Sequence, residues 1–110
     1  MANQSEGSFE VPYEGHKRAL DRAKGLAATN VTIGTKAFLR YITGSIENTS
    51  GHKFSYLVVN IDLFDANGSR LGNVGDGVQN FNPGQTWNFE AGIPREGVVT
   101  AKVSEIKGWL

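Results

Sequence analysis

The chain contains no cysteine among its 110 residues. This absence excludes thiol catalysis, cysteine-based zinc sites and iron–sulfur ligation, and it leaves no disulfide to stabilise the fold. A chain of this length corresponds to one domain and buries roughly two-thirds of the surface that its unfolded form exposes. We therefore expect a fold that depends on its own hydrophobic core.

Neither charge is in excess, since Lys plus Arg and Asp plus Glu each number 11. A protein that binds nucleic acid by neutralising phosphates carries a basic surplus, so nucleic acid is not an expected partner. No apolar run reaches the roughly 20 residues of a membrane helix, which predicts no direct membrane insertion by this segment. The residues from Met1 to Glu6 lack the basic-then-apolar order of a signal peptide, so none is predicted in this chain.

Prolines are few, at three, whereas glycines number 14, a composition that suits tight turns between short strands. Residues 1–29 are predicted to form an N-terminal tail. Within it, residues 14–26 are rich in Ala and long side chains, and Gly25 stands where a helix would end. This pattern predicts one short helix with a narrow apolar stripe. The helix either binds a partner or links the domain to a membrane anchor; otherwise it packs on the edge of the sandwich or is a frayed lead-in.

From Val31 onward the apolar residues alternate with a period of two, which predicts a β domain over residues 30–110. The clearest strand is Phe54 to Asp65. One of its faces is uniformly aliphatic and is expected in the core, with Leu57, Val59, Ile61 and Leu63. The other face is mixed and is expected to be partly solvated, with Tyr56, Val58, Asn60, Asp62 and Phe64.

The remaining strands are shorter or less regular. Their predicted inward residues are Phe38, Ile42 and Ile46 in residues 37–48, Trp87, Phe89 and Ala91 in residues 86–91, and Val99, Ala101 and Val103 in residues 98–106. Ile106 is out of register by one residue, which predicts a bulge. Gly75–Gly77 is expected to break a short return strand, leaving Gly72–Gly77 as a flexible loop. About six or seven strands with frequent turn signals predict an all-β antiparallel sandwich.

Four segments in the right order resemble the FxLYD domain family. Residues Ile61–Asp65 are similar to the family's Phe-x-Leu-Tyr-Asp motif, and Gly44–Ser50 are similar to its Gly-x-Val-x-Asn-x-Ser segment. Asn67–Gly68 match its hairpin turn, and Phe81–Phe89 are similar to its Leu-x-Pro-Gly-x-x-Trp-x-Phe segment. The likeness covers residues 35–107. It implies an Ig-like sandwich of a secreted or membrane-anchored protein, hence an extracytoplasmic location, with no enzymatic activity and no shared ligand.

No residue set supplies a catalytic or metal-binding constellation. Asp65-x-Asn67-Gly68 resembles the start of a calcium loop, but the EF-hand pattern fails at Leu63 and Val74, where it needs acids; a looser site using Asp76 is left open. His16 and His52 are far apart, and neither is near a nucleophile-and-base arrangement. We therefore predict no enzyme, no cofactor and no metal. Three glycosylation sequons begin at Asn30, Asn48 and Asn67.

The best functional lead from the sequence is a set of apolar residues expected on outer strand faces: Leu39, Tyr41, Tyr56, Val58 and Phe64. If exposed together, such residues mark an interface; otherwise a second sheet or the N-terminal helix covers them. The predicted function is a non-catalytic Ig-like accessory or binding module of a secreted or cell-surface protein, with a protein or cell-surface polymer as partner. The alternative is a structural spacer or oligomerisation domain, and a homo-oligomer is left open.

Overall fold

The computed structural model describes residues 25–110, which form two packed antiparallel sheets of three strands. The strand order is β1-β2-β5 in one sheet and β4-β3-β6 in the other. The strands are β1 Ala28–Lys36, β2 Leu39–Glu47, β3 Phe54–Phe64, β4 Arg70–Phe81, β5 Thr86–Gly92 and β6 Thr100–Trp109. The all-β antiparallel sandwich predicted from the sequence is therefore confirmed. The helix predicted over residues 14–26 lies, up to Lys24, outside the described residues.

The core lies between the two sheets and is built on β3, the central strand of its sheet. Leu57, Val59, Ile61 and Leu63 are all fully buried, as the alternation predicted. Across the interface they face buried side chains of the other sheet, chiefly Ile42, Ile46 and Phe89. Burying a side chain of this size contributes about 1.5–3 kcal/mol by transfer free energy, so this single alternating strand accounts for much of the hydrophobic stabilisation.

The prediction that Phe38 points into the core is wrong. Ile42 and Ile46 face inward as expected, but Phe38 is 99% exposed. The reason is that the chain reverses at this point, because Lys36 pairs with Leu39 across a two-residue turn. Ala37 and Phe38 both adopt positive φ, at 50° and 70°, as a type I′ turn requires. Ala-Phe is not a typical turn sequence, so the alternation of apolar residues in the sequence gives no sign that the chain reverses here.

The predicted break and flexible loop at Gly72–Gly77 are also wrong, because β4 runs unbroken through them and pairs along the whole of β3. A tyrosine from β3 covers one of these glycines. The Tyr56 ring lies against Gly77, at the position that a Cβ atom would fill. The Asp76 carboxylate accepts hydrogen bonds from Gly77 N at 2.8 Å and Glu90 N at 3.0 Å, and the second bond joins β4 to β5 in the other sheet.

The hairpin turn expected at Asn67–Gly68 and the bulge predicted near Ile106 are both present. In the β3–β4 turn, Asp65 Oδ1 accepts hydrogen bonds from Asn67 N and Ser69 N, both at 2.9 Å. In β6 the pairing shifts by one residue between Val103 and Glu105, which makes Ser104 the bulged residue and explains why Ile106 is out of register. Strand β6 begins at Thr100, so Val99 precedes it and is exposed rather than facing the core.

Asn48 is a buried polar residue that holds together the loops at one end of the sandwich. Its Nδ2 donates to the carbonyl oxygens of His52 at 2.8 Å and Phe81 at 3.1 Å. Its Oδ1 accepts from Ser50 N at 3.1 Å and Ser50 Oγ at 2.7 Å. Because both ends of the amide are bonded, the β2–β3 loop is fixed against the end of β4 without an unsatisfied polar atom on Asn48.

Candidate functional site

The candidate site is the end of the sandwich opposite Asn48, which we call the hairpin end. It comprises the β1–β2 turn with its flanking residues 36–40, the β3–β4 turn at residues 65–69, and the β5–β6 loop at residues 93–99. Strand pairing brings these segments to one end, since Lys36 pairs with Leu39, Tyr41 with Gly92, and Phe64 with Thr100. The hairpin end therefore combines three connections that are distant in sequence.

Backbone hydrogen bonds and one arginine make the hairpin end rigid. Ile93 N donates to Arg40 O at 2.9 Å, and Arg40 Nη2 donates to Val98 O at 2.8 Å. Val99 N donates to Phe64 O at 2.8 Å in the other sheet. The β1–β2 hairpin is thus tied to the β5–β6 loop, and that loop is tied to the end of β3.

Large exposed apolar side chains are concentrated at this end. Phe38 is 99% exposed, Leu39 59% and Val99 58%; in residues 25–110 the other large hydrophobic residue of this kind is Leu110, at 45% and at the end of the chain. A single exposed apolar residue is ordinary on a protein surface. Three such residues lie at one end of the sandwich, with a phenylalanine at the tip, and folding by itself does not account for this concentration.

The backbone at the tip is strained. A non-glycine residue in the left-handed region costs about 1–2 kcal/mol relative to the right-handed one, and type I′ turns therefore favour Asn-Gly. Here Ala37 and Phe38 occupy both central positions, at φ 50° and 70°. The fold thus bears this strain and also leaves a phenylalanine in water. Strain of this kind is concentrated at functional sites, which points to a role for the tip outside the fold.

The charged groups beside the tip are engaged in structural contacts. Lys36 Nζ lies 3.0 Å from Glu90 Oε2 and 5.2 Å from the centroid of the Tyr41 ring, on the outer face of the sheet. Arg95 donates to Leu71 O. These contacts fix the charged side chains around the apolar tip.

The five residues nominated from the sequence do not form one patch. Leu39 and Tyr41 belong to β2, whereas Tyr56, Val58 and Phe64 belong to β3 in the other sheet. Since all five point away from the core, the two groups lie on opposite sides of the sandwich. Leu39 joins the hairpin end, while Val58 is buried with Trp109 and packs with Tyr56 on the far face of β3.

Sequence reasoning missed Phe38, Val99 and Trp109. The two alternating runs that end at Lys36 and begin at Leu39 give an indirect signal for Phe38, because only two residues separate them. No comparable signal exists for Val99, whose exposure follows from where β6 begins. The Trp109 ring packs on the Tyr56 ring, with centroids 6.2 Å apart, because β3 pairs with β6. These two strands are far apart in the sequence, so the contact could not be predicted from local patterns.

Candidate metal, membrane and modification sites can also be placed. Residues 25–110 contain no group of three or more His, Asp or Glu side chains suited to hold a metal ion. Nor does that part of the chain contain a helix long and apolar enough to span a bilayer. Of the three sequon asparagines, Asn30 and Asn67 are exposed, whereas Asn48 is buried with its Nδ2 bonded and is inaccessible to modification in the folded state.

Comparisons of the chain with protein-family models, with curated proteins and with solved structures each find no match.

Proposed function

We propose that this chain is a non-catalytic binding module that engages a protein partner through its hairpin end, with Phe38 as the anchor. The observation that carries the proposal is that Phe38 is 99% exposed on a turn whose two central residues both have positive φ. Aromatic side chains that fill a pocket at the centre of an interface dominate binding energies in many complexes. Transfer of a phenylalanine from water into an apolar pocket provides about 1.5–3 kcal/mol.

The rigidity of the hairpin supports the same function. Because β1 and β2 are paired up to the turn and Arg40 is bonded to the β5–β6 loop, the tip is held in place before any partner arrives. A preorganised anchor loses little conformational entropy on binding. Leu39 and Val99 would extend the apolar contact around Phe38, and the charged side chains nearby would form a polar rim.

The strand order supports an Ig-like module. The order β1-β2-β5 and β4-β3-β6 corresponds to A-B-E and C′-C-F in the immunoglobulin arrangement. The resemblance to FxLYD domains favours the same assignment and an accessory role in a secreted or cell-surface protein. Of the two predicted partner classes, a protein is favoured over a surface polymer, because the three large apolar side chains exposed at this end, Phe38, Leu39 and Val99, carry no hydrogen-bonding groups.

A structural spacer or oligomerisation domain remains the second candidate function. The same apolar end could pack against a second copy in an isologous contact. The two functions differ in the state of Phe38 in the isolated protein. Sedimentation velocity over a wide concentration range, with a fluorinated phenylalanine at position 38, should show a monomer whose fluorine is exposed to solvent. A dimer that shields the fluorine would overturn the binding function and favour oligomerisation.

The partner itself can be tested by photocrosslinking from the tip. Benzoylphenylalanine at position 38 should crosslink a protein of the source cell, whereas the same group at Glu47, exposed at the opposite end, should not. The captured protein, once purified, should bind wild-type chain at least about tenfold more tightly than Phe38→Ser, as expected of an anchor residue. Equal crosslinking from both positions, or equal affinity of wild type and variant, would contradict the proposal.

A further inference from the structure

The β3–β4 turn carries a dipeptide, Asn67-Gly68, whose covalent bonds are labile. Asparagine is a thermolabile residue, because the backbone nitrogen of the next residue can attack the carbon of its side-chain amide. Glycine hinders this attack least, since it has no side chain. Asn67 is the one asparagine in the sequence that precedes glycine; each of the others is followed by a residue with a side chain. Both residues are exposed, so water and hydroxide reach them.

The reaction at this dipeptide needs only water. The Gly68 nitrogen loses its proton to hydroxide and forms a bond to Cγ of Asn67. The bond between Cγ and Nδ2 then breaks, and ammonia leaves with a proton taken from water. Water next adds to either carbonyl carbon of the resulting succinimide ring. Ring opening gives aspartate in the normal linkage or isoaspartate, in which the main chain runs through Cγ and is longer by one methylene. In total, water is consumed, ammonia is released and a carboxylate is gained.

Asp65 holds the turn in a conformation that resists ring closure. Its carboxylate Oδ1 accepts hydrogen bonds from Asn67 N and Ser69 N, both at 2.9 Å. Its carbonyl oxygen accepts from Gly68 N at 3.0 Å. We call these three bonds the Asp65 clamp. For the attack, the Gly68 N–H has to leave Asp65 O, and the peptide plane between Asn67 and Gly68 has to rotate. The clamp opposes both movements, because it fixes the nitrogens on either side of that plane.

A second site with a following glycine, Asp76-Gly77, lies in a different environment. An aspartate side chain can form the same ring with loss of water. Here, however, the dipeptide lies within β4, where Gly77 pairs with Val58 of β3. The Asp76 carboxylate accepts hydrogen bonds from Gly77 N at 2.8 Å and from Glu90 N at 3.0 Å. Ring closure would break the pairing of the strand and the bond to β5. The two dipeptides therefore differ in reactivity because of the fold.

We propose that Asn67 is a site of spontaneous modification through a succinimide, and that the Asp65 clamp sets the rate in the folded protein. The product places a new carboxylate two residues from that of Asp65. In the isoaspartate form, the added methylene displaces Gly68 N from Asp65 O, so the clamp does not close again. The hairpin end thus gains negative charge and loses a fixed turn as the molecule ages. This inference is independent of the proposed function, since it concerns the covalent chemistry of the turn and no partner.

Peptide mass spectrometry of the full chain after incubation at mildly alkaline pH tests the proposal. Aspartate and isoaspartate should accumulate at position 67, whereas Asp76 should stay in the normal linkage. Folded wild type should react several-fold more slowly than wild type unfolded in guanidinium chloride, because only the folded chain has the clamp. Equal rates in the folded and unfolded chains, or earlier isomerisation at Asp76 in the folded chain, would overturn the proposal. This comparison needs no variant and so does not depend on the folding of one.

Variants at two aspartates separate the clamp from the effect of charge. Asp65→Ala should modify Asn67 several-fold faster than wild type when folded and at the same rate when unfolded. Asp65→Asn keeps an acceptor oxygen and should stay close to wild type. Asp62→Ala is the matched control, because Asp62 bonds Arg70 on the same hairpin but does not contact the turn. If Asp62→Ala accelerates the reaction as much as Asp65→Ala, loss of charge is the cause and the role of the clamp is refuted.

Discussion

The ring of Phe89 packs directly against the Cα of Gly44 in the neighbouring strand. The two residues are paired between β2 and β5, and a Cβ atom on Gly44 would collide with the ring. The glycine therefore creates the space in which a fully buried phenylalanine completes the inner face of the sheet. This explains why glycine stands between Ile42 and Ile46 in a strand that otherwise favours bulky residues.

Substitution of Gly44 by alanine should destabilise the fold. Overpacking of a filled core typically costs about 1–3 kcal/mol, because side chains leave their preferred rotamers. The measurement is the free energy of urea unfolding. Gly34→Ala in β1 is the matched control, since no atom lies within 4 Å of a Cβ there, and its loss should be smaller. Phe89→Leu in the Gly44→Ala background should recover part of the loss; a purely additive double mutant would refute a direct clash.

Replacement of the strained turn should stabilise the protein. Ala37→Asn combined with Phe38→Gly introduces the residues that tolerate positive φ, and we expect the free energy of unfolding to rise by about 1–2 kcal/mol. In a domain of this size, each 1 kcal/mol raises Tm by roughly 4–8 °C. Phe38→Ser separates the two effects, because it removes the exposed ring but keeps a side chain in the left-handed region. If Phe38→Ser is as stable as the double variant, backbone strain is not the cause.

Removal of the Asn48 amide should loosen the end of the sandwich that it fixes. Asn48→Ala leaves the buried carbonyl of Phe81 without this donor and frees the β2–β3 loop, so we expect a loss of about 2–3 kcal/mol. Thermal and urea unfolding measure the loss, and hydrogen exchange should locate the added opening at residues 48–53. Asn82→Ala, at an exposed turn position nearby, is the control and should be nearly neutral.

Tyr56 should make the stability pH-dependent in the alkaline range. Burial, and secondarily the negative charge of Asp76, raise the pKa of its phenol above the usual 10.0. A raised pKa means that the folded state holds the proton more tightly than the unfolded state. The stabilisation is therefore complete below pH 10.0 and is lost as the pH rises through the higher pKa of the folded state. Urea unfolding at successive alkaline pH values should show a steeper decline for wild type than for Tyr56→Phe; parallel declines would show that the phenol does not contribute.

Elements that depend on interactions between near neighbours in the chain could be predicted from the sequence. The alternation of Leu57, Val59, Ile61 and Leu63 fixed β3 and its buried face, because side chains two residues apart share one side of a strand. The turn at Asp65–Gly68 was equally readable, since Asp65 bonds the backbone two and four residues later and Gly68 supplies the positive φ.

Other features depend on which strands meet in the folded protein, and these could not be predicted from the sequence. Residues 75–77 lie within β4, where the Tyr56 ring of β3 packs on Gly77 and the Asp76 carboxylate accepts a hydrogen bond from Glu90 N of β5. Phe38 left the core because the β1–β2 pairing imposed a reversal that its sequence does not favour. Leu39 and Tyr41 were separated from Tyr56 and Phe64 because consecutive strands entered different sheets. Local alternation specifies the two faces of a strand, but the partner that covers each face is set by contacts between residues far apart in the chain.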